Sequence, residues 1–440
     1  MEESQKHKYT YPEQTIFSDK MKERFNRLNL PGFDGIKCGD ILHQHFARNM
    51  DTRFTLLIFF SSLIRVIMRT FFIKQKYRYT GNPDTLFLMS SIWYKNRKDL
   101  IASFNNVANL VNNKLLIELS DSNTFLGLQM VKHMRLPLQL DKALRKTITD
   151  YKCRWFYISL LYSIFINYKY FEAICRKHNF VINNLVTNCD IDDKNYYYVS
   201  VFNKHKKTTV ALQHGVFSSC YYAENLIESK SKYFFAHNQY CIDEGLKAGY
   251  KGGQMIITGM PSYVTMRPVA PVAEYKKEKI GFVFDGELFH ENNHNAIGML
   301  QNYAKRKGIK LYFKLHPSET INDYKDDLDF DVIEKCYTTE ISLIDFAKEI
   351  DVAIISNSSA LSEILSLKKP CFIIYNKSLV DIYSNAPSFR FSTEEELEHL
   401  INSINCPAFV KDMEKMNSYF CWPNNTATNY IKAFNSLGIF

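Results

Sequence analysis

A Lys-Leu-His-Pro run at residues 314–317, followed by Ser-Asn-Ser-Ser at 356–359 and by Glu363, gathers cationic, hydroxyl and amide donors of the kind that hold an anion. The segments leading into them, LYFKL (311–315) and DVAIIS (351–356), are short apolar or alternating runs that stop abruptly at polar residues. That is how strands end. Ligands of open α/β sheets bind at such carboxyl ends. Phosphate needs donors that approach closely, and Lys314, His316, Asn357, the hydroxyls of Ser356, Ser358 and Ser359, and the amides opening a helix at 359–367 would supply them. The expectation is a cradle for a nucleotide mono- or diphosphate.

Each residue also has a plainer role. Pro317 restrains the backbone at His316, which suits either a phosphate donor or a strand cap. The serines are equally suited to capping the next helix, a role compatible with phosphate binding because both use the same free amides. Glu363, one turn beyond Ser359, is placed to accept ribose hydroxyls or to sit in solvent. Asp285-Gly286 reads as a tight turn in which Gly286 admits a ligand to the backbone. A carboxylate beside a diphosphate is repulsive without a cation, so Asp285 is a turn residue, faces the acceptor, or holds Lys314. Asp190 and Asp192 have the spacing of a metal-binding pair but follow a strand directly, so they are read as lining a cleft or capping a helix; no metal site is expected. Leu212-Gln213-His214-Gly215 ends another strand and brings a base candidate. A neutral imidazole at His214 can take a proton from an attacking hydroxyl. Gly215 would allow close backbone approach, Gln213 is polar where a buried strand prefers apolar residues, and Gly259 in ITGMP is placed to meet ligand through its backbone.

These residues need two α/β lobes to position them. The chain has 440 residues, 46% hydrophobic and 15% aromatic, enough for two cores. Strand candidates at 85–93, 114–119, 180–188, 208–215, 232–238 and 254–259 alternate with helix-length stretches. A proline-rich, charged break follows, and the rhythm restarts at 280–286, 310–317, 331–336, 351–359 and 370–376, with helices between. The boundaries expected are an acceptor-side lobe at 1–262, a linker at 263–279, a donor-binding lobe at 280–423, and a final helix within 424–440 that crosses back. Ser392 and Glu395 suggest a capping box for the helix through 404. Residues 1–80 hold 14 Lys plus Arg against 8 Asp plus Glu, two-thirds of the net charge of +9. The uncharged stretch 54–64 is shorter than the roughly 20 residues of a bilayer span. With Arg65 and Arg69 beside Phe59, Phe60, Ile64 and Ile67, the segment suits an anionic membrane surface or a buried helix with arginines at its rim. Residues 155–171 read as core. No secretion signal or CxxC spacing is present, so a reduced, cytoplasmic setting is expected. No nucleic-acid motif accompanies the basic N-terminal part.

LQHG (212–215), TGMP (258–261), KLHP (314–317) and SNSSALSE (356–363), in that order, resemble the GT-B glycosyltransferases of bacterial surface polysaccharide synthesis. The pattern is similar to capsule Kdo transferases, bacterial polysialyltransferases and CDP-glycerol glycerophosphotransferases, over about residues 180–380. The resemblance implies two Rossmann-like lobes facing across a cleft, with a nucleotide held by the C-terminal one. It implies metal-independent transfer of a sugar, with no cofactor, from a nucleotide-activated donor to a growing capsule, O-antigen or related glycan, lipid-linked and at the inner face of the plasma membrane. His316 would contact the donor phosphate or assist the leaving group, and Ser358 and Ser359 would bind that phosphate. With His214 and Asp285, His316 completes the candidate catalytic set. The acidic-acidic-Gly motif of the sialyltransferases has no convincing counterpart in the first lobe; Asp285-Gly286 falls after the linker. A His-Gly and a His-Pro occur in the glycerophosphotransferases too, so polyol-phosphate transfer stands as an alternative, and sugar-nucleotide epimerisation as a further one.

Overall fold

The computed structural model describes residues 19–46, 56–89, 98–125, 128–188, 193–213, 230–250, 253–266, 269, 274–286, 290–317, 319–338, 340–375, 382–422 and 425–440. They build two mainly parallel sheets flanked by helices, an α/β architecture of two Rossmann-like lobes. The first sheet comprises β1 (Phe72–Tyr79), β2 (Thr85–Met89), β3 (Lys114–Phe125), β4 (Asn184–Thr187), β5 (Thr208–Leu212), β6 (Tyr233–Ala236) and β7 (Gln254–Ile257), in the order β1-β3-β2-β4-β5-β6-β7. Only β1 runs antiparallel, against β3. Sequence reasoning did not separate β1 from the basic segment, because the alternation of FIKQKYRY carries polar side chains on an edge rather than an apolar run. The chain passes from β2 to β3 and then returns to place β4 on the other side of β2.

The helices accompanying this sheet are α1 (Asp19–Asn26), α2 (Cys38–Phe46), α3 (Leu56–Phe71), α4 (Lys98–Ala108), α5 (Arg135–Leu144), α6 (Tyr151–His178), α7 (Asp193–Lys204) and α8 (Gln239–Lys247). Asp150 caps α6, accepting from the amides of Lys152 and Cys153 at 2.7 and 3.0 Å, and Asn179 ends it in the left-handed region at φ 58°. Most of its aromatic and aliphatic residues are buried, so the 155–171 stretch is core. No described helix is long and apolar enough to cross a membrane.

The second sheet is wholly parallel: β8 (Ile280–Val283), β9 (Leu311–Lys314), β10 (Ile333–Tyr337), β11 (Val352–Ile355), β12 (Cys371–Ile374) and β13 (Arg390–Phe391), in the order β10-β9-β8-β11-β12-β13. IGFV, VAII and CFII are buried throughout, as strands covered on both faces must be. The covering helices are α9 (His290–Lys307), α10 (Leu343–Glu349), α11 (Ala360–Ser366), α12 (Glu394–Ser403) and α13 (Pro407–Phe420), followed by α14 (Thr426–Ser436). The expected cap of α12 is displaced by one residue. Thr393 is the N-cap, accepting from the amide of Glu396 at 3.2 Å, and the Glu396 carboxylate reaches back to the amide of Ser392 at 2.6 Å. Thr393-x-x-Glu396 satisfies the same pattern as Ser392-x-x-Glu395.

Three contacts tie the two halves together. Tyr430 and Phe434 of α14 pack against Phe235, and Phe434 against Phe87, in the core of the first sheet. Asn238, which caps α8, donates to Ser362 Oγ at 3.0 Å and to the carbonyl of Phe420 at 2.5 Å. Tyr240 lies on the Phe420 ring, centroids 4.9 Å apart. At Gly259 (φ +88°) a Cβ would stand 2.8 Å from the Trp422 indole, so the glycine makes room for a tryptophan.

Candidate functional site

In the second sheet the chain runs β8, β9, β10 in one direction and then restarts at β11 on the other side of β8. A crevice therefore opens between the carboxyl ends of β8 and β11, the position at which open parallel sheets take ligands. Asp285 and Gly286 follow β8, His316 follows β9, and Ser356 and Asn357 follow β11, so five of the residues singled out above meet at this edge.

Asp285 is only 2% exposed. Its Oδ2 accepts from the amide of Asn357 at 2.8 Å, and its own amide and carbonyl are held by the side chain of Asn293 at 3.1 and 2.9 Å. Oδ1 has no hydrogen-bond partner among the described residues. Burial pushes the carboxyl up to about 7, against the pull of the Asn357 amide and the Ser356 hydroxyl. Near neutral pH a substantial fraction is thus uncharged, which lessens the repulsion an ordinary aspartate would present to a phosphate. Ser356 is buried beside it, its Oγ accepting from Asn292 at 3.1 Å. A cavity of about 240 Å³ opens there, lined also by Asn295, Met299, Ile374, Tyr375 and Ser392.

His316 owes its position to a turn. Its carbonyl accepts from the amide of Glu319 at 2.9 Å, with Pro317 at the second turn position, where a fixed φ is favoured. The imidazole lies on the next loop: a Cβ built on Gly286 would be 3.3 Å from the ring. Gly286 therefore serves the packing of His316 as well as access to the backbone. Beneath them Glu319, raised above the usual carboxylate range by burial, accepts from the Tyr324 hydroxyl at 2.6 Å and from the His316 amide at 3.4 Å.

Lys314 departs from its expected partnership with His316. It is 6% exposed, and its ammonium donates to the carbonyl of Leu315 at 3.2 Å and to that of Thr338, on the β10 side of β9 and away from Ser356. Burial holds its pKa below the usual lysine range. A two-residue spacing put both side chains on one face, but the unmet carbonyls at the strand ends offered the ammonium a nearer anchor. Ser358 Oγ accepts from the amide of Ala360 at 3.3 Å and its carbonyl from the Tyr383 hydroxyl at 2.6 Å, while Ser359 caps α11 without a side-chain bond. Glu363 lies on α11, its carbonyl accepting from the Tyr263 hydroxyl at 3.1 Å.

On the first sheet, Gln213 is buried at the end of β5. Its Nε2 contacts Cys241 Sγ at 3.0 Å and its Oε1 accepts from the His237 amide at 2.8 Å. This network accounts for a polar residue at that position. His214, Gly215 and Asp190 lie outside the described residues. No group of three potential metal-binding side chains occurs among the described residues. Sequence reasoning passed over Asn292, Asn293, His290 and His294, although HENNHN (290–295) carries the signal: two histidines at i, i+4 on one helical face, and two amides between them.

No protein-family model matches the chain, and no curated protein does. Solved structures resemble it at low identity. MnaA from S. aureus, solved with UDP, is 11% identical over 80% of this chain and 97% of that one, with a TM-score of 0.47. The lipopolysaccharide outer core galactosyltransferase WaaB is 10% identical over 80% and 99%, TM-score 0.46. UDP-GlcNAc 2-epimerase from Neisseria meningitidis, bound to UDP-GlcNAc, is 11% identical over 80% and 98%, TM-score 0.44. At these scores the likenesses carry no argument about what the chain does.

The buried carboxyl has a measurable consequence. Because its pKa is higher in the folded chain than in the unfolded one, the folded state binds more protons between about pH 4 and about pH 7, so this contribution to stability is present at the acid end and lost as pH rises through about 7. Asp285→Asn keeps an acceptor for the Asn357 amide but does not titrate. The wild-type Tm is expected to fall more steeply than that of Asp285→Asn between about pH 5 and about pH 8. Parallel curves in differential scanning calorimetry would contradict the placement.

Proposed function

We propose that the chain is a glycosyltransferase that moves a sugar from a nucleotide-activated donor to a surface glycan acceptor. The observation that supports this reading most is the crevice between β8 and β11. Gly286 and the His316 imidazole flank a point where the neighbouring carboxyl, Asp285, is buried, bonded to the Asn357 amide and only partly ionised near pH 7. Such a crevice is open to a diphosphate. In the transfer, the bond from the sugar to the phosphate oxygen breaks and its electron pair stays on that oxygen. His316, Ser358 and Ser359 are assigned the charge that develops there, where preorganised donors act most strongly. His214 is assigned the proton of the attacking acceptor hydroxyl. Capsule, O-antigen and other lipid-linked glycans are the acceptors proposed.

A membrane-facing acceptor accords with one surface of the first lobe. Along α3, Val66 and Thr70 are buried, and the Thr70 hydroxyl meets that of Tyr162 of α6 at 2.8 Å. The opposite face exposes Phe60, Ile64, Ile67 and Met68, each more than 40% accessible, with exposed Arg65 among them. Apolar anchors beside a cation suit the interface of an anionic bilayer, and peripheral attachment there is part of the proposal.

Two experiments test this reading. In assays of a nucleotide-sugar panel and CDP-glycerol, His316→Ala is expected to lower kcat on the accepted donor by about 10²–10³-fold, with the fold retained by circular dichroism. Unchanged turnover would remove His316 from the reaction. Use of CDP-glycerol alone would move the assignment to polyol-phosphate transfer, and acceptor-free conversion of UDP-N-acetylglucosamine would move it to epimerisation. In sedimentation with vesicles containing about 30% anionic phospholipid, Ile64→Glu is expected to release most of the bound protein. Equal binding of the two forms, or no binding by the wild type, would dismiss the membrane surface.

A further inference from the structure

Outside the cradle, a chain of three titratable groups runs along the start of α9. The Asp327 carboxylate lies 2.6 Å from His294 Nδ1, and His294 Nε2 lies 3.2 Å from His290 Nδ1. The two imidazoles stand at 87° with centroids 4.6 Å apart, and the His290 ring rests on Tyr324, also at 4.6 Å. Tyr324 in turn holds Glu319, whose other oxygen receives the His316 amide. His290 is thus joined through one tyrosine and one glutamate to the backbone of His316, and only residues 287–289 separate it from Gly286.

The hydrogen-bond directions follow from the chemistry of the end group. A carboxylate only accepts, so His294 carries a proton on Nδ1 and, in its neutral form, presents Nε2 as an acceptor. That acceptor takes the Nδ1 proton of His290. The nitrogen left to exchange protons is His290 Nε2, which makes no hydrogen bond among the described residues. Asp327 lies on a different segment, so the arrangement is not a by-product of helical spacing.

We infer that His290, aligned by His294 and Asp327, is a second catalytic imidazole of the donor site, delivering its Nε2 proton to the departing phosphate; the inference rests on the transferase reading above. The donor bond from sugar carbon to phosphate oxygen breaks with its electron pair on oxygen, and the His290 proton moves to that oxygen. His290 is left neutral, its remaining proton on Nδ1 and still donated to His294 Nε2, and regains a proton at Nε2 from solvent. His294 and Asp327 are positioning residues. The titratable groups around His290 are His294 and Glu291 on its own helix and Glu319, Asp323, Tyr324 and Asp327 on the segment packed against it. The carboxylates among them oppose the unfavourable effect of a helix N-terminus on an imidazolium.

Nitrogen-15 NMR of histidine-labelled full-length protein tests the arrangement without requiring turnover. The Nδ1–H tautomer is expected at both His290 and His294. Asp327→Asn is expected to abolish that preference at His294. UDP is expected to shift the His290 Nε2 resonance. An Nε2–H tautomer at His290, no response to Asp327→Asn, or no shift with UDP overturns the inference. With an accepted donor, His290→Gln is expected to lower kcat by about 10²-fold or more while UDP affinity stays within about threefold. Full turnover by that variant also overturns it. Wild-type protein that turns over no nucleotide donor overturns the transferase reading, and the NMR results then stand or fall separately.

Discussion

One half-buried hydrogen bond closes the working edge of the second sheet. The Asp285 carboxyl accepts the Asn357 amide at 2.8 Å and so joins the end of β8 to the end of β11 across the point where the strand order reverses. Parallel strands diverge at a switch point, and the loops that leave them would otherwise part. With that bond in place, Ser356 is drawn beneath Asn292, the Ser-Asn-Ser-Ser loop enters α11 in a fixed register, and Gly286 is held where the His316 ring can lie on it. Removing the carboxyl from water is costly, and the cost appears as a pKa raised to about 7.

Around that bond the site is layered. Asn293, fully buried, holds the Asp285 backbone from α9, and its amide also contacts the Tyr324 hydroxyl at 2.7 Å. Tyr324 carries Glu319 on one side and the His290 ring on its face. A single tyrosine thus couples the His-Pro turn to the histidines of α9. Such networks are worth having only when nearly all their members are satisfied. Among the buried side-chain atoms of this cluster, Asp285 Oδ1 is left over, and it adjoins the crevice.

Much of this was legible in the sequence. Apolar runs that end at polar residues gave the strands of both sheets, because a parallel strand buried on both faces leaves a continuous hydrophobic signature. The same reasoning brought His316, Asp285, Gly286, Ser356 and Asn357 to one edge. It failed where the deciding force was not periodicity. Lys314 was drawn to strand-end carbonyls, β1 hid its pairing in a polar edge, and the two-residue β13 is too short to carry a pattern. His290 and His294 were missed because their partner Asp327 lies 33 residues from His294. No local pattern reports such a pair.

The central claim is that the crevice between β8 and β11 receives a nucleotide diphosphate. A crystal structure of the protein with UDP tests it most directly. The account expects the diphosphate between Gly286, His316 and the 356–359 loop, with the Asp285–Asn357 hydrogen bond intact. A nucleotide seated elsewhere, or an intact crystal whose crevice stays empty at saturating UDP, would contradict it.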